Sequence, residues 1–426
     1  MLGFAAGLVC FNATAQTTAL QINALQSPSS LSLVQALQQT TDRNRFIVAA
    51  QKQKDAAAAD VLRANIRPNP ILSGATSNTR AGRFQVGELD TIVRIEQTFE
   101  RGNKRDLRVA SARGLEQAAV ADVLDVIRQQ RAQTALTYFD LAVSQKLLAL
   151  ALENELNFRR LLDGASKRFK AGDIAQADVS RLTVELSRAV NDVRASRNAQ
   201  TQAQFRLAAQ LAEEQSATEL QAADSLPLIA ETKSIESLLS PNAQISAIDQ
   251  AIANRADVRA AQARIQAQEK ALALAKSLTT RDVTFGAQTE RTQAFGGRVF
   301  GVSASIPLLF GNDFSGELVR SSVDLAIAQT ELERVIAQVR TEITSSLAQL
   351  FASKDRLYQL LIVTLPEATK ASQAIEYAYT RGAASLTDLF DARRQFNAVQ
   401  VEATTAQSEF SKSLFLYRAA IESTPP

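Results

Sequence analysis

Hydrophobic positions recur along this chain with two different periods, and the places where the period changes divide it. Phe300, Val302, Ala304, Ile306 and Leu308 alternate with Val299, Gly301, Ser303 and Ser305, a period of two with one apolar face and one small or polar face. Val283, Phe285 and Ala287 alternate with Thr284, Gly286 and Gln288 just before it. Ile71 to Ala75 and Thr91 to Glu96 make an earlier pair of the same kind. Two β-hairpins are therefore expected, over residues 69–99 and 281–310. Strands of about ten residues are long enough to cross a bilayer when tilted.

Elsewhere the pattern is helical. Lys104 to Lys170 is 67 residues without a proline, which is about 100 Å as one helix. Leu136, Val143 and Leu150 run at heptad spacing beside Leu141 and Leu148; Leu325, Leu332 and Val339 run likewise beside Ile336, Ile343, Leu350 and Leu357. Two adjacent seams on one helix call for a partner on each side, as in a wall of helices. Each hairpin is thus followed by one long helical stretch, with Pro366 as the interruption in the second. Shorter helices are expected at Leu31–Arg67, Gln176–Leu211, Ala243–Leu278 and Leu386–Ile421.

Ten of the sixteen glycines fall in the two hairpin windows, and the windows match each other. Gly74 aligns with Gly286 at an offset of 212 residues, and Gly102-Asn103 with Gly311-Asn312 at 209. Phe169-x-x-Gly172…Asp178 aligns with Tyr379-x-x-Gly382…Asp388 at 210. Three anchors at nearly one offset predict an internal duplication. It divides the chain into residues 16–212, an inter-repeat segment at 213–240 with Pro227 and several Ser, and residues 241–426. Residues 1–15 read as a secretory signal peptide: Leu2 to Phe11 is small or apolar, and Ala13-Thr14-Ala15 fits an A-x-A cleavage site. Cys10 leaves lipidation as an alternative, although Gly7 and Val9 depart from the usual lipobox.

Composition then removes whole classes of function. The 426 residues contain no His, no Trp, one Cys (Cys10) and one Met (Met1). No Ser–His–Asp or Cys–His relay is possible, and no His/Cys zinc site. An enzyme is not expected, nor a cofactor, and any metal site would have to be oxygen-only and weak. Mixed charges summing to +3 mark no nucleic-acid surface. Four amphipathic strands cannot cross a membrane alone, because open edges leave backbone groups unpaired in lipid. Closed barrels begin at about eight strands, so three copies contributing four strands each are the simplest solution. The fold class expected is mainly α with a small β part: antiparallel coiled-coil helices forming an α-barrel below a trimeric barrel of about twelve strands. The competing reading is a periplasmic coiled-coil adaptor or structural protein with two hairpin tips.

The layout, with three local motifs, resembles the TolC family of outer-membrane efflux proteins over essentially the whole mature chain. Arg67-Pro68-Asn69-Pro70 before the first strand, Glu100-Arg-Gly102-Asn103-Lys104-Arg105 after the second, and Ile306-Pro307-Leu308 are similar to segments of its CzcC branch, with Asn103 replacing a glycine. The resemblance implies a homotrimer in outer-membrane lipid, with helices in the periplasm of a Gram-negative cell and no energy source of its own. It implies two partners, a periplasmic adaptor and a proton-driven inner-membrane transporter of the RND type. The cargo it implies is heavy-metal cations, with drug efflux or type I secretion as the alternative. Gly172, Asp173, Arg381 and Gly382 fall at the helix-turn-helix tips that contact the adaptor. Asp388 and Asp391 fall where the family places carboxylate rings around the entrance, while Ser385-x-x-Asp388 also reads as a capping box. Tyr379 and Asp178 match a pair that ties an inner to an outer helix, and Ala384 replaces an Arg of a similar tie.

Overall fold

The computed structural model describes residues 30–77, 90–224, 241–292 and 297–421. The proposed leader at 1–15, Cys10, and residues 225–240 of the inter-repeat segment lie outside the described residues. The chain opens on strand β1 (Ser30–Leu31), helices α1 (Leu33–Arg43) and α2 (Arg45–Ala64), then strands β2 (Ile71–Ser77) and β3 (Asp90–Phe99). Helix α3 (Lys104–Lys170) and helix α4 (Gln176–Leu211) follow, with a 3-10 turn at Glu214–Glu219 and strand β4 (Gln221–Ala222). The second half repeats this order with α5 (Pro241–Asn254), α6 (Ala256–Ser277), β5 (Val283–Thr292) and β6 (Gly297–Ser305). It ends on α7 (Ser315–Gln359), α8 (Leu365–Thr380) and α9 (Leu386–Ile421).

The long helices α3, α4 and α9 occupy the spans that the apolar period predicts. The shorter expected helices break instead. Asn44 is extended at ψ 129°, and its side chain accepts the Phe46 N–H to start α2, so Leu31–Arg67 becomes two helices. Arg255, 211 residues later, is extended at ψ 140° and divides α5 from α6. The stretch after the second hairpin is not one regular helix either. Leu360–Thr364 widens into a π turn just before Pro366 at the start of α8. Proline has no N–H and crowds the carbonyl four residues back, and a π turn accommodates both.

The two hairpins join in one four-stranded antiparallel sheet of order β2–β3–β5–β6. Arg94 lies opposite Gln288, Glu96 opposite Gly286 and Thr98 opposite Thr284, and β6 adds Gly301, Ser303 and Ser305 to that polar face. The other face carries Val93, Ile95 and Phe99 with Phe285, Phe300 and Val302. Phe300 is 79% and Val302 92% exposed, so within one chain this apolar face has nothing against it. Among the described residues, β2 and β6 have a strand partner on one side only.

Below the sheet the helices keep the strand order: α2 packs on α3, α3 on α6 and α6 on α7. A Cβ on Gly114 would lie 2.8 Å from the Ala267 Cβ, which sets how closely α3 and α6 approach. Elsewhere α3 packs against α4 and α9, and α9 also packs against α7 and α8. Among the described residues the buried apolar side chains form three separate clusters rather than one core. One joins α5, α7 and α9 around Leu350, Leu357 and Phe410, a second lies around Tyr138, Leu207 and Leu211, and a third sits at the far end around Phe158, Leu182 and Phe390.

The junctions from strand to helix differ in detail from the sequence alignment. In the first half Gly102 has φ +72° and Asn103 φ +59° immediately before α3. In the second half the left-handed residue before the helix is Phe314, at φ +60°. The equivalent of Asn103 is therefore Phe314, at an offset of 211, and not Asn312. The Asp313 carboxylate instead accepts the Ser315 N–H at the first residue of α7.

Candidate functional site

The ends of α3 and α8 turn by the same device. Gly172 at φ +85° and Gly382 at φ +76° take the left-handed position that glycine occupies without steric cost. Gly172 N–H donates to Phe169 O at 2.9 Å and Asp173 N–H to Arg168 O at 2.9 Å; Gly382 donates to Tyr379 O at 3.0 Å and Ala383 to Ala378 O at 2.8 Å. Those crossed bonds close both helix ends in a Schellman turn. Asp173 and Arg381 are exposed beside the turns, and the Arg381 guanidinium lies 5.1 Å from the centre of the Tyr377 ring.

The helices that return from the two turns begin differently. Ser385 and Asp388 form a complete reciprocal cap, with Asp388 N–H donating to Ser385 Oγ at 3.2 Å and Ser385 N–H to Asp388 Oδ2 at 3.0 Å. These donors hold the Asp388 carboxyl below the usual carboxylate range, the Ser385 hydroxyl contributing most. In the first half Ala175 stands where Ser385 stands, so no side chain caps α4. Asp178 is left with Arg181 on its own helix, 3.8 Å away.

Tyr379 and Asp178 are not joined by a hydrogen bond within this chain, so the expected tie between them is not made here. A different pair spans that gap. Arg394 of α9 ion-pairs with Glu185 of α4, a nearly buried carboxylate that also accepts from Arg188 at 2.9 Å. Asp391 remains exposed, 3.8 Å from the same Arg394. Behind them Phe390 packs on Phe158, and Asn397 donates to Asn154 at 2.5 Å. Lys412 pairs with Asp140 further along. On the other side Arg393 reaches Glu376 of α8 at 2.6 Å. The sequence carries a signal for the central pair: Glu185 and Arg394 are 209 residues apart, opposite charges at nearly equivalent places in the two halves.

A second polar centre lies at the waist. Arg255, 1% exposed, donates to Ala420 O at 3.0 Å, to Asp257 at 2.7 Å and to Glu342 at 2.9 Å. Arg128 bridges Asp125 and the same Glu342. Burial would lower the Arg255 pKa, but the bonds to Asp257 and Glu342 outweigh it and keep the guanidinium charged. The equivalent place in the first half is neutral, where Asn44 donates to Gln210 O at 2.9 Å. Nothing in the hydrophobic period marks this difference.

No group of three or more His, Cys, Asp or Glu among the described residues is arranged to hold a metal ion. A cavity of about 760 Å³ lies at the strand–helix junction and is lined by Arg67, Pro68 and residues 97–106. It is open and polar, with no paired acid and base of the kind that hydrolytic chemistry uses.

Residues 247–414 match the outer membrane efflux protein family. The chain carries an outer-membrane efflux domain. Over 374 residues, covering 87% of this chain and 84% of the relative, it is 24% identical to the cobalt-zinc-cadmium resistance protein CzcC of Cupriavidus metallidurans. Its fold matches the Campylobacter jejuni CmeC outer membrane channel with a TM-score of 0.76, over 99% of this chain and 94% of that one, at 11% identity. CusC, whose folding is described together with transmembrane channel formation, matches with a TM-score of 0.74 over 95% of both chains at 16% identity. The efflux domain thus begins in α5 and ends in α9, and the fold likeness extends across both halves.

Proposed function

We propose that this chain is the exit duct of a tripartite efflux pump, a passive outer-membrane conduit from the periplasm to the outside that carries heavy-metal cations. The observation that carries the proposal is the four-stranded sheet with one exposed apolar face, one polar face and two open edges, continuous with a wall of long helices. Three copies closing edge to edge would give every strand a partner, put the apolar face in lipid and enclose Arg94, Glu96 and Gln288 in a water-filled lumen. Exposed apolar residues on α2 (Phe46, Leu62) and on α7 (Val319, Val323, Ile327), the two outermost helices of the layer below the sheet, support the same closure.

In this reading the tip turns at Gly172, Asp173, Arg381 and Gly382 meet a periplasmic adaptor, and an RND-type transporter in the inner membrane supplies the energy. Asp388 and Asp391 would form carboxylate rings around the entrance, and such rings concentrate cations and repel anions. The capping role of Asp388 is compatible with this, since the capping bonds use Oδ2 and the residue stays exposed. Metal cations as cargo follow from the likeness to CzcC. Deletion of the gene should sensitise cells to cobalt, zinc or cadmium and raise their periplasmic metal content. Unchanged metal tolerance with raised sensitivity to drugs would move the cargo to the drug-efflux alternative.

A further inference from the structure

Two basic sequence motifs that the conduit reading leaves without a role meet in the structure. Arg67-Pro68 at the end of the first helical arm, and Arg101 to Arg105 at the start of α3, line the same cavity of about 760 Å³. Its charges are unequally satisfied. Lys104 pairs with Asp282 at 2.8 Å, and Glu100 with Arg108 at 2.8 Å. Among the described residues Arg105 donates to Asn65 alone, at 2.6 Å to Oδ1 and 3.0 Å to the carbonyl. Among the described residues the guanidinium groups of Arg67 and Arg101 have no carboxylate partner, the Arg101 backbone N–H alone donating to Asp282 at 2.9 Å, and both residues are exposed. Three guanidinium groups therefore border one cavity, and of its two lining carboxylates Glu100 is paired while Asp106 has no ion-pair partner among the described residues.

The cavity also has a defined place. Phe99, on the apolar face of β3, forms part of its wall and is half exposed, and Leu72, opposite Ile95 on the same face, is exposed further along the sheet. It sits where the apolar face of the sheet gives way to polar helices, on the helical side. Guanidinium groups bind phosphate oxygens in bidentate fashion, and an apolar face beside them suits acyl chains. We propose that this cavity is a binding site for the phosphate of an anionic phospholipid in the periplasm-facing leaflet, with the lipid tails lying on Phe99 and Leu72. The proposal rests on the outer-membrane reading above, which sets the sheet in lipid and the helices in the periplasm.

Native mass spectrometry of the full-length protein, delipidated in detergent and supplied with phosphatidylglycerol or with phosphatidylcholine of the same acyl chains, tests it. The wild-type protein should retain phosphatidylglycerol in preference. Retention should fall roughly fivefold for each of Arg67→Gln and Arg101→Gln, the scale of one basic residue near an anionic surface. Equal retention of the two lipids by the wild type would overturn the proposal whatever the variants do. So would complete displacement of the lipid by inorganic phosphate, which would make the site one for a free anion, or burial of Arg67 and Arg101 against a second copy. A wild-type protein absent from outer membranes would overturn the conduit reading together with this one. Equal lipid retention by a protein found there overturns this one alone.

Discussion

Gly102 and Gly164 show how differently one residue type is used along α3 and its approach. Gly102 has φ +72°, and a Cβ there would meet Thr280 Cβ at 2.8 Å and Ser277 O at 3.2 Å. Gly102→Ala should cost about 2–3 kcal/mol in denaturant unfolding, from backbone strain and crowding together. Gly164 lies within α3 with nothing near its missing Cβ, so Gly164→Ala should be neutral or gain about 0.5–1 kcal/mol. Tyr138 carries a comparable local constraint. Its hydroxyl proton is shared between Leu31 O and Asp224 Oδ2, each 2.9 Å away, and its oxygen accepts the Asp224 N–H at 3.1 Å. Burial, with the Asp224 carboxylate adding to it, pushes the phenol up to about 12 from an ordinary 10. Because the folded value is the higher, this contribution is complete below about pH 10 and is lost as pH rises through about 12, at most about 3 kcal/mol. Tyr138→Phe should flatten the alkaline limb of a stability–pH profile; an unchanged limb would place the alkaline loss elsewhere. The Gly102 turn was legible from its motif, whereas Tyr138 was not, because its partner Asp224 lies 86 residues away and shares no local pattern with it.

At the scale of elements, period and length were enough wherever a helix is covered along a continuous stripe. That is why α3, α4 and α9 fall on their expected spans. The breaks at Asn44 and Arg255 were not legible, since each depends on bonds to a carbonyl at the far end of another helix, Gln210 or Ala420. The tip was legible as a turn but not as a contact. Tyr379 and Asp178 are present, yet the side chain that crosses between the hairpins is Arg394, to Glu185. If this pair holds the resting tip together, Glu185→Gln should raise the fraction of time the channel is open in planar bilayers about fivefold, the effect of roughly 1 kcal/mol. Tyr379→Phe should leave it unchanged. The reverse ranking would return the tie to Tyr379 and Asp178.

For the whole molecule, closure is the property on which conduction depends. The need for partner chains could be argued from the sequence, because four strands with one apolar face leave edges that a membrane does not tolerate. The identity of the edges could not, since it required knowing that β3 and β5 pair and leave β2 and β6 outermost. The cargo is equally hidden at this scale, as a duct wall without soft ligands has little to select with. Cross-linking across the open edges is the most direct test. Cys10 is the single cysteine in the sequence, so in a Cys10→Ser background cysteines placed along β2 and β6 will react without interference. In intact outer membranes, oxidation of paired-edge variants should give a ladder that stops at three chains. A ladder stopping at two, running beyond three, or absent while the protein is in the outer membrane would contradict the account.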